Sequence, residues 1–227
     1  MSTRRFCILT ALCGILGVIM LITSFIINVA PPPNPTVAQL IAFGTQHRNA
    51  LLIGSWLQTI GSLLCVIFAI AIVHLAGATT RLAGWMTMFG GIVLEMVTII
   101  EVTFYLSAVN GNPATTSLIS LDLIAAIQHL FPIVAAPAVF LPVGVVILGS
   151  RVLPHVFGYA SLALGGVFAI AGLVFLFSPI LLEVVALSFI QGLWFLTAAV
   201  SLLVRAGRAS DTVTGQKRAG VEYVSKK

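Results

Sequence analysis

Six stretches of the chain stay apolar over more than 20 residues, at positions 6–29, 51–75, 82–106, 121–148, 156–177 and 180–204. A helix rises about 1.5 Å per residue, so about 20 apolar residues are enough to cross a hydrocarbon core of about 30 Å. None of the six shows the strict alternation of a barrel strand. The pattern predicts an all-α integral membrane protein, a six-transmembrane-helix bundle. The first stretch follows Arg4 and Arg5 as a secretory signal would. It is longer than a signal's apolar core, and Pro31 follows Ala30, the one candidate cleavage residue, so it is expected to remain as an anchor.

The longest connection, 30–50, opens with Pro31, Pro32, Pro33, Asn34 and Pro35, which dictate an extended start. A short external interfacial helix is expected next, with Asn34 as its cap and Pro35 in its first turn. Val37, Leu40, Ile41 and Gly44 would share one face of it. It reads either as a connector lying on the membrane surface or as a lid over an external cavity.

Composition agrees: 59% of the 227 residues are apolar and 7% charged, which excludes a soluble domain, where about a quarter of residues carry charge. The net charge of +5 does not point to nucleic acid, because the bases sit in the connections and form no single patch. Those bases do set a direction. One register places Arg4, Arg5, Arg81, Arg151, Arg205, Arg208, Lys217, Arg218, Lys226 and Lys227 on one side, against Arg48 on the other. Cytoplasmic loops are enriched in Lys and Arg, so both termini are expected in the cytoplasm, with the helices in the cell inner (plasma) membrane. Residues 206–227 are expected to form a disordered basic cytoplasmic tail near anionic headgroups. Cys7, Cys13 and Cys65 lie inside apolar runs and suggest neither a disulfide nor a zinc motif.

Polar residues inside the apolar stretches carry whatever chemistry there is. Glu95 falls midway through the third helix, while Glu101, Asp122 and Glu183 fall in the outer third of theirs. A charge at mid-membrane costs about 2.5 to 3.5 kcal/mol on insertion scales, so such groups face the bundle interior and find partners. Asp122 and Glu183 also suit the electropositive start of a helix. His129 follows Asp122 by two helical turns on the same face. Pro132, Pro137 and Pro142 deprive the carbonyls of Gln128, Ile133 and Ala138 of their helical donors, so the fourth helix should be kinked. Gln58, Thr98 and Gln191 are placed to line the same outer half, and Trp56 the outer interface. His74 and His155 sit at the cytoplasmic edge, and no cofactor is expected. Small residues at Gly90, Gly91, Ser161, Gly165, Ala169 and Gly172 allow close helix packing. No internal repeat is evident.

The stretch Ser150, Arg151, Val152, Leu153, Pro154, His155, Val156, Phe157, Gly158, followed by a Gly-containing apolar run, resembles the bacterial domain-of-unknown-function 4386 family. The resemblance implies six helices, a first external loop with a short helix ending near an Asn, and a comparable cytoplasmic turn. It brings no activity and no catalytic residues.

Three functions compete. One is binding or transport of a cation, a cationic small molecule or a lipid in an outward-facing acidic cavity lined by Glu95, Glu101, Asp122, His129, Glu183 and Gln191. Another is a noncatalytic interaction or assembly protein, in which the small-residue stripe of the fifth helix meets a protein partner or a second copy. The third is an intramembrane metal-dependent hydrolase, in which His129, carboxylates and, if it folds in from the loop, His47 bind zinc and activate water. The topology is tested directly: a C-terminal fluorescent-protein fusion should glow and a C-terminal alkaline phosphatase fusion should be inactive, and the reverse pair would invert the orientation.

Overall fold

The structure is a computed structural model that describes residues 3–28, 36–110, 116–175, 177 and 181–224. Within these lie α1 (Thr3–Ile27), α2 (Val37–Gln46), α3 (Arg48–Leu75), α4 (Leu82–Asn110), α5 (Thr116–Leu130), α6 (Ala136–Leu148), α7 (His155–Phe175) and α8 (Leu181–Val224). Six spans among the described residues are long and apolar enough to cross a membrane: α1, α3, α4, the Ala126–Leu148 stretch of α5 and α6, α7, and Leu187–Arg208 of α8. The protein is therefore an all-α, multi-pass, six-helix bundle. Helix is dictated throughout because the hydrocarbon offers backbone groups no partner, and a helix satisfies them within each segment.

The crossings form a ring in which α1 packs on α3, α3 on α4, α4 on α6, α6 on α7, and α8 closes it mainly through α1. Arg81, Arg151 and Arg205 gather at one end, where Arg205 Nη1 donates to the Val152 carbonyl at 3.0 Å. We call this the basic end. At the opposite end Arg48 Nη2 donates to Asn110 Oδ1 at 3.0 Å, tying the start of α3 to the finish of α4.

The core between the ring and the basic end is aromatic. Phe68, Phe140, Phe168 and Phe195 are all buried. Phe140 is the hub, with ring centroids 6.1 Å from Phe168, 5.3 Å from Trp194 and 5.6 Å from Phe195. Phe68 closes the set at 6.0 Å from Phe195. Lipid tails are as apolar as these rings, so water exclusion does not hold them together; close van der Waals packing and edge-to-face geometry do.

The fourth crossing is broken where the prolines predict. Residues Phe131–Ala135 form a π turn between α5 and α6, in which the Ala136 N–H reaches back five residues to the Phe131 carbonyl. Pro132 has no N–H to close the normal bond to Gln128, and the wider turn accommodates that loss. Further along, α7 supplies a donor to the same rod, the Ser161 hydroxyl bonding the Phe140 carbonyl at 2.7 Å.

Three expectations change. The cap of α2 is Thr36, not Asn34: its side chain accepts from the Gln39 N–H, while Gln39 returns a bond to the Thr36 N–H. That reciprocal Thr-x-x-Gln box satisfies two free donors at once, which a lone Asn cannot; Asn34 and Pro35 lie outside the described residues. Secondly, α8 continues as helix to Val224, where a disordered tail from 206 was expected. The segment has no proline, and Ala, Arg, Lys and Gln extend a helix already nucleated in the membrane. Thirdly, the small-residue stripe of α7 is used inside the chain. A Cβ on Gly165 would strike Leu141 and one on Gly172 would strike Ile133, while Ser161 bonds Phe140. Of the four stripe residues, only Ala169 is exposed.

Gly90 makes the closest of these approaches, since a Cβ there would fall on the Ala138 carbonyl of α6, the group that Pro142 leaves without its helical donor. Gly90→Leu is expected to lower stability by roughly 1–3 kcal/mol through overpacking. Gly166→Leu, at a position with open space around it, should change it by less than about 0.5 kcal/mol. Unfolding of the purified variants in mixed detergent micelles measures both.

Candidate functional site

Along α3 the polar residues recur as Ser55, Gln58, Ser62 and Cys65, three or four positions apart, and all four are buried. That spacing keeps them on one face of the helix. Along α4 a matching series, Glu95, Thr98, Glu101 and Tyr105, has the same spacing. The two series face each other, so the α3–α4 contact is a polar seam inside an otherwise apolar bundle.

The bonds along the seam are specific. Gln58 Nε2 donates to Glu101 Oε2 at 2.8 Å. Ser62 and Thr98 share a hydroxyl bond at 3.2 Å, and Thr98 also donates to the Leu94 carbonyl at 3.1 Å. Deeper in, Glu95 faces the Ser62 hydroxyl and the Cys65 thiol. From the third side α5 contributes Gln128, whose Nε2 donates to Glu101 Oε1 at 2.9 Å. Tyr105 lies one turn beyond Glu101, with its hydroxyl against the Gln128 side chain. Glu101 thus joins α3, α4 and α5 through one carboxyl group. Ser120 adds a second α5–α4 tie, donating to Ser107 at 3.2 Å.

A carboxylate offers about four lone-pair directions, and Glu101 uses two of them on amides. Among the described residues no Lys or Arg side chain lies beside the remaining capacity. The described Lys and Arg side chains all sit at the helix ends: Arg4, Arg5, Arg81, Arg151, Arg205 and Arg208 at the basic end, and Arg48 on Asn110. Four buried atoms among the described residues have no hydrogen-bond partner: Asn28 Oδ1, Ser55 Oγ, Glu95 Oε2 and Gln191 Oε1. All are oxygens. Asn28 belongs to a small cluster at the far end of α1, where its Nδ2 donates to Ser24 and Ser24 donates to the Gly54 carbonyl at 2.9 Å.

The helix α2 sits over this region. It packs against α5, α3 and α4, the three helices that Glu101 joins. Its end carries His47, whose ring lies 4.8 Å from that of Phe43.

Of the sequence-predicted site residues, Glu95 and Glu101 fall on one seam, about 9 Å apart along α4. Gln191 is buried on α8, which packs on α1 and α7, so it approaches from the other side of the ring. His129 is partly buried on α5 next to Gln128. The side chains of Asp122 and Glu183 lie outside the described residues. No group of three or more potential metal ligands occurs among the described residues, and His47 and His129 are not joined in one. Gln128, Ser62 and Tyr105 were missed as site residues. Gln128 drew notice only for its carbonyl, although its side chain is a neutral donor at the depth of Glu101.

Comparison with models of protein families, with curated proteins and with solved structures returns no match. The site is therefore argued from its own geometry. A double-mutant cycle of Gln128→Leu with Glu101→Leu is expected to give a coupling of about 0.6 to 1.7 kcal/mol, the range of interhelical hydrogen bonds in membranes. Additive losses in a steric-trapping unfolding assay would mean that the bond holds nothing together.

Proposed function

We propose that the protein binds a cation or a cationic small molecule, such as an amine, in the seam around Glu101, entering from the end covered by α2. The observation that carries this reading is the Glu101 carboxyl group, held by two glutamine amides with acceptor capacity to spare, in a part of the bundle where, among the described residues, no Lys or Arg side chain lies. The unpartnered acceptor oxygen of Glu95 supports it, because it calls for a donor and an ammonium group supplies several. Tyr105 adds a phenol oxygen near the carboxyl group, bonded with Gln128.

In this reading Gln58 and Gln128 orient the carboxyl group, and Glu101 supplies the charge. Glu95, about 9 Å deeper, is a second station that a small cation reaches along the Ser62 and Thr98 hydroxyls. The helix α2 acts as the lid. With the basic end in the cytoplasm, as the distribution of Lys and Arg argues, the site faces outward. The lipid alternative has less support, since the seam is polar on both walls. The assembly reading loses its main motive, because the α7 stripe is already occupied by α6. Transport, as distinct from binding, would need a route past the aromatic core.

The test is ligand binding to the purified protein in nanodiscs, over a panel of monovalent cations, divalent cations, and primary and quaternary amines. Glu101→Gln is expected to weaken binding of the active member about tenfold or more, the factor set by losing one charge-assisted hydrogen bond. Glu95→Gln should weaken it less. Binding untouched by both substitutions across the whole panel would remove the proposal.

A further inference from the structure

A second feature lies on the outside of the ring, away from the seam. The helices α4 and α6 meet at Gly90 and Ala138, and from there toward the basic end they enclose an open groove of about 480 Å³. Trp85, Met86 and Phe89 form one wall, and Pro137, Leu141 and Pro142 the other. The wall residues of α4 are strongly exposed, Trp85 at 63% and Phe89 at 67%. The groove is apolar along its length, and in a bilayer an acyl chain fills such a space.

The mouth of the groove is what sets it apart from the rest of the lipid-facing surface. Arg81, Trp85 and Phe89 follow one another at four-residue intervals, one column down the face of α4. Arg81 stands at the head of that column. Its Nη1 reaches across to Gly149 at the end of α6, within 3.9 Å of where a Cβ on that glycine would be. The guanidinium therefore spans the two walls at the point where the groove leaves the membrane. Arg81 is exposed. A planar, permanently charged fork placed over an apolar slot is complementary to a phosphate carrying a hydrocarbon chain. Trp85, one turn in, sits at the depth where an indole borders headgroup and chain.

We propose that this groove is a specific site for an anionic glycerophospholipid, its phosphate held by Arg81 and one acyl chain lying between Phe89 and Pro137. The two prolines shape the slot. They also leave the Ala138 carbonyl, which has lost its helical donor to Pro142, turned onto Gly90 and away from the chain. The site is independent of the Glu101 seam, and its test does not depend on the cation reading.

Trp85 provides the readout. The protein is placed in phosphatidylcholine bilayers doped with phosphatidylglycerol whose chains are brominated, and tryptophan quenching is compared with that from brominated phosphatidylcholine at equal mole fraction. Trp85→Phe identifies the part of the signal that comes from the groove. In the native protein that part should report a preference for the anionic lipid of about fivefold, the factor expected of one basic residue at the surface. Arg81→Gln should bring the ratio to about one, and Arg81→Lys should retain part of it. Arg151→Gln, a charge removed from the same end but not from the groove, should leave it unchanged. Equal quenching by the two lipids in the native protein would overturn the proposal. So would an Arg151→Gln effect as large as that of Arg81→Gln, which would show a diffuse surface charge in place of a site. Circular dichroism and size-exclusion behaviour matching the native protein confirm that each variant is folded before it is scored, and Arg81→Lys serves if Arg81→Gln fails that check.

Discussion

Everything in this structure follows from one constraint: inside the hydrocarbon a polar group must find its partner within the chain. The helical backbone meets it first. Hydroxyls then fold back onto their own helices, as Thr87 does onto the Ala83 carbonyl at 2.8 Å and Thr103 onto that of Ile99 at 2.8 Å. Where Pro132 withdraws a donor, the backbone widens into a π turn instead of leaving a straight helix with a gap. Where a side chain is too large to fold back, as Gln58, Gln128 and Glu101 are, it must reach another helix. The seam between α3 and α4 is the result.

The choice of partner within the seam is informative. An acid in a membrane is commonly neutralised by Arg or Lys, but bringing both charges out of water costs more than a pair of amides does. Two glutamines offer donors without a countercharge, so Glu101 is oriented by neutral groups alone. A buried Arg would have made the same three-helix junction and closed the site. The two amides thus hold three helices together at Glu101 without bringing a countercharge into the seam.

How much of this could be read from the sequence varies with the physics involved. The six crossings were plain, because each is a long apolar run governed by a single requirement of length. The break in the fourth crossing was plain as well, since Pro132 has only one thing to say about the bond to Gln128. The cap of α2 was misread at Asn34 because a proline after a capping residue is a strong local signal, whereas the Thr36–Gln39 box depends on both partners forming together. Glu95 and Glu101 stood out as charges in the wrong solvent. Gln128 did not, because a neutral amide breaks no rule on its own and becomes part of a site only when α5 packs beside α4. Gln191 looked equivalent to the others by depth, yet its azimuth around the ring, which hydropathy does not encode, sets it on α8.

The same azimuthal arrangement bears on whether a ligand could pass through. The seam is polar from Tyr105 down to Glu95 and Cys65, and below it α3 presents Phe68, the first of the packed aromatic rings. In the proposed reading, a cation leaving Glu95 toward the basic end would meet no acceptor among those rings. Its passage would require Phe140 and its neighbours to move. Phe140 is on α6, Gln128 is on α5, and the π turn at Phe131–Ala135 lies between them. A shift about that turn would change both at once, loosening one of the two amides on Glu101 while repacking the aromatic core. If the proposed site does release its ligand toward the basic end, the proline-broken fourth crossing is the element whose two halves are connected to both ends of that path.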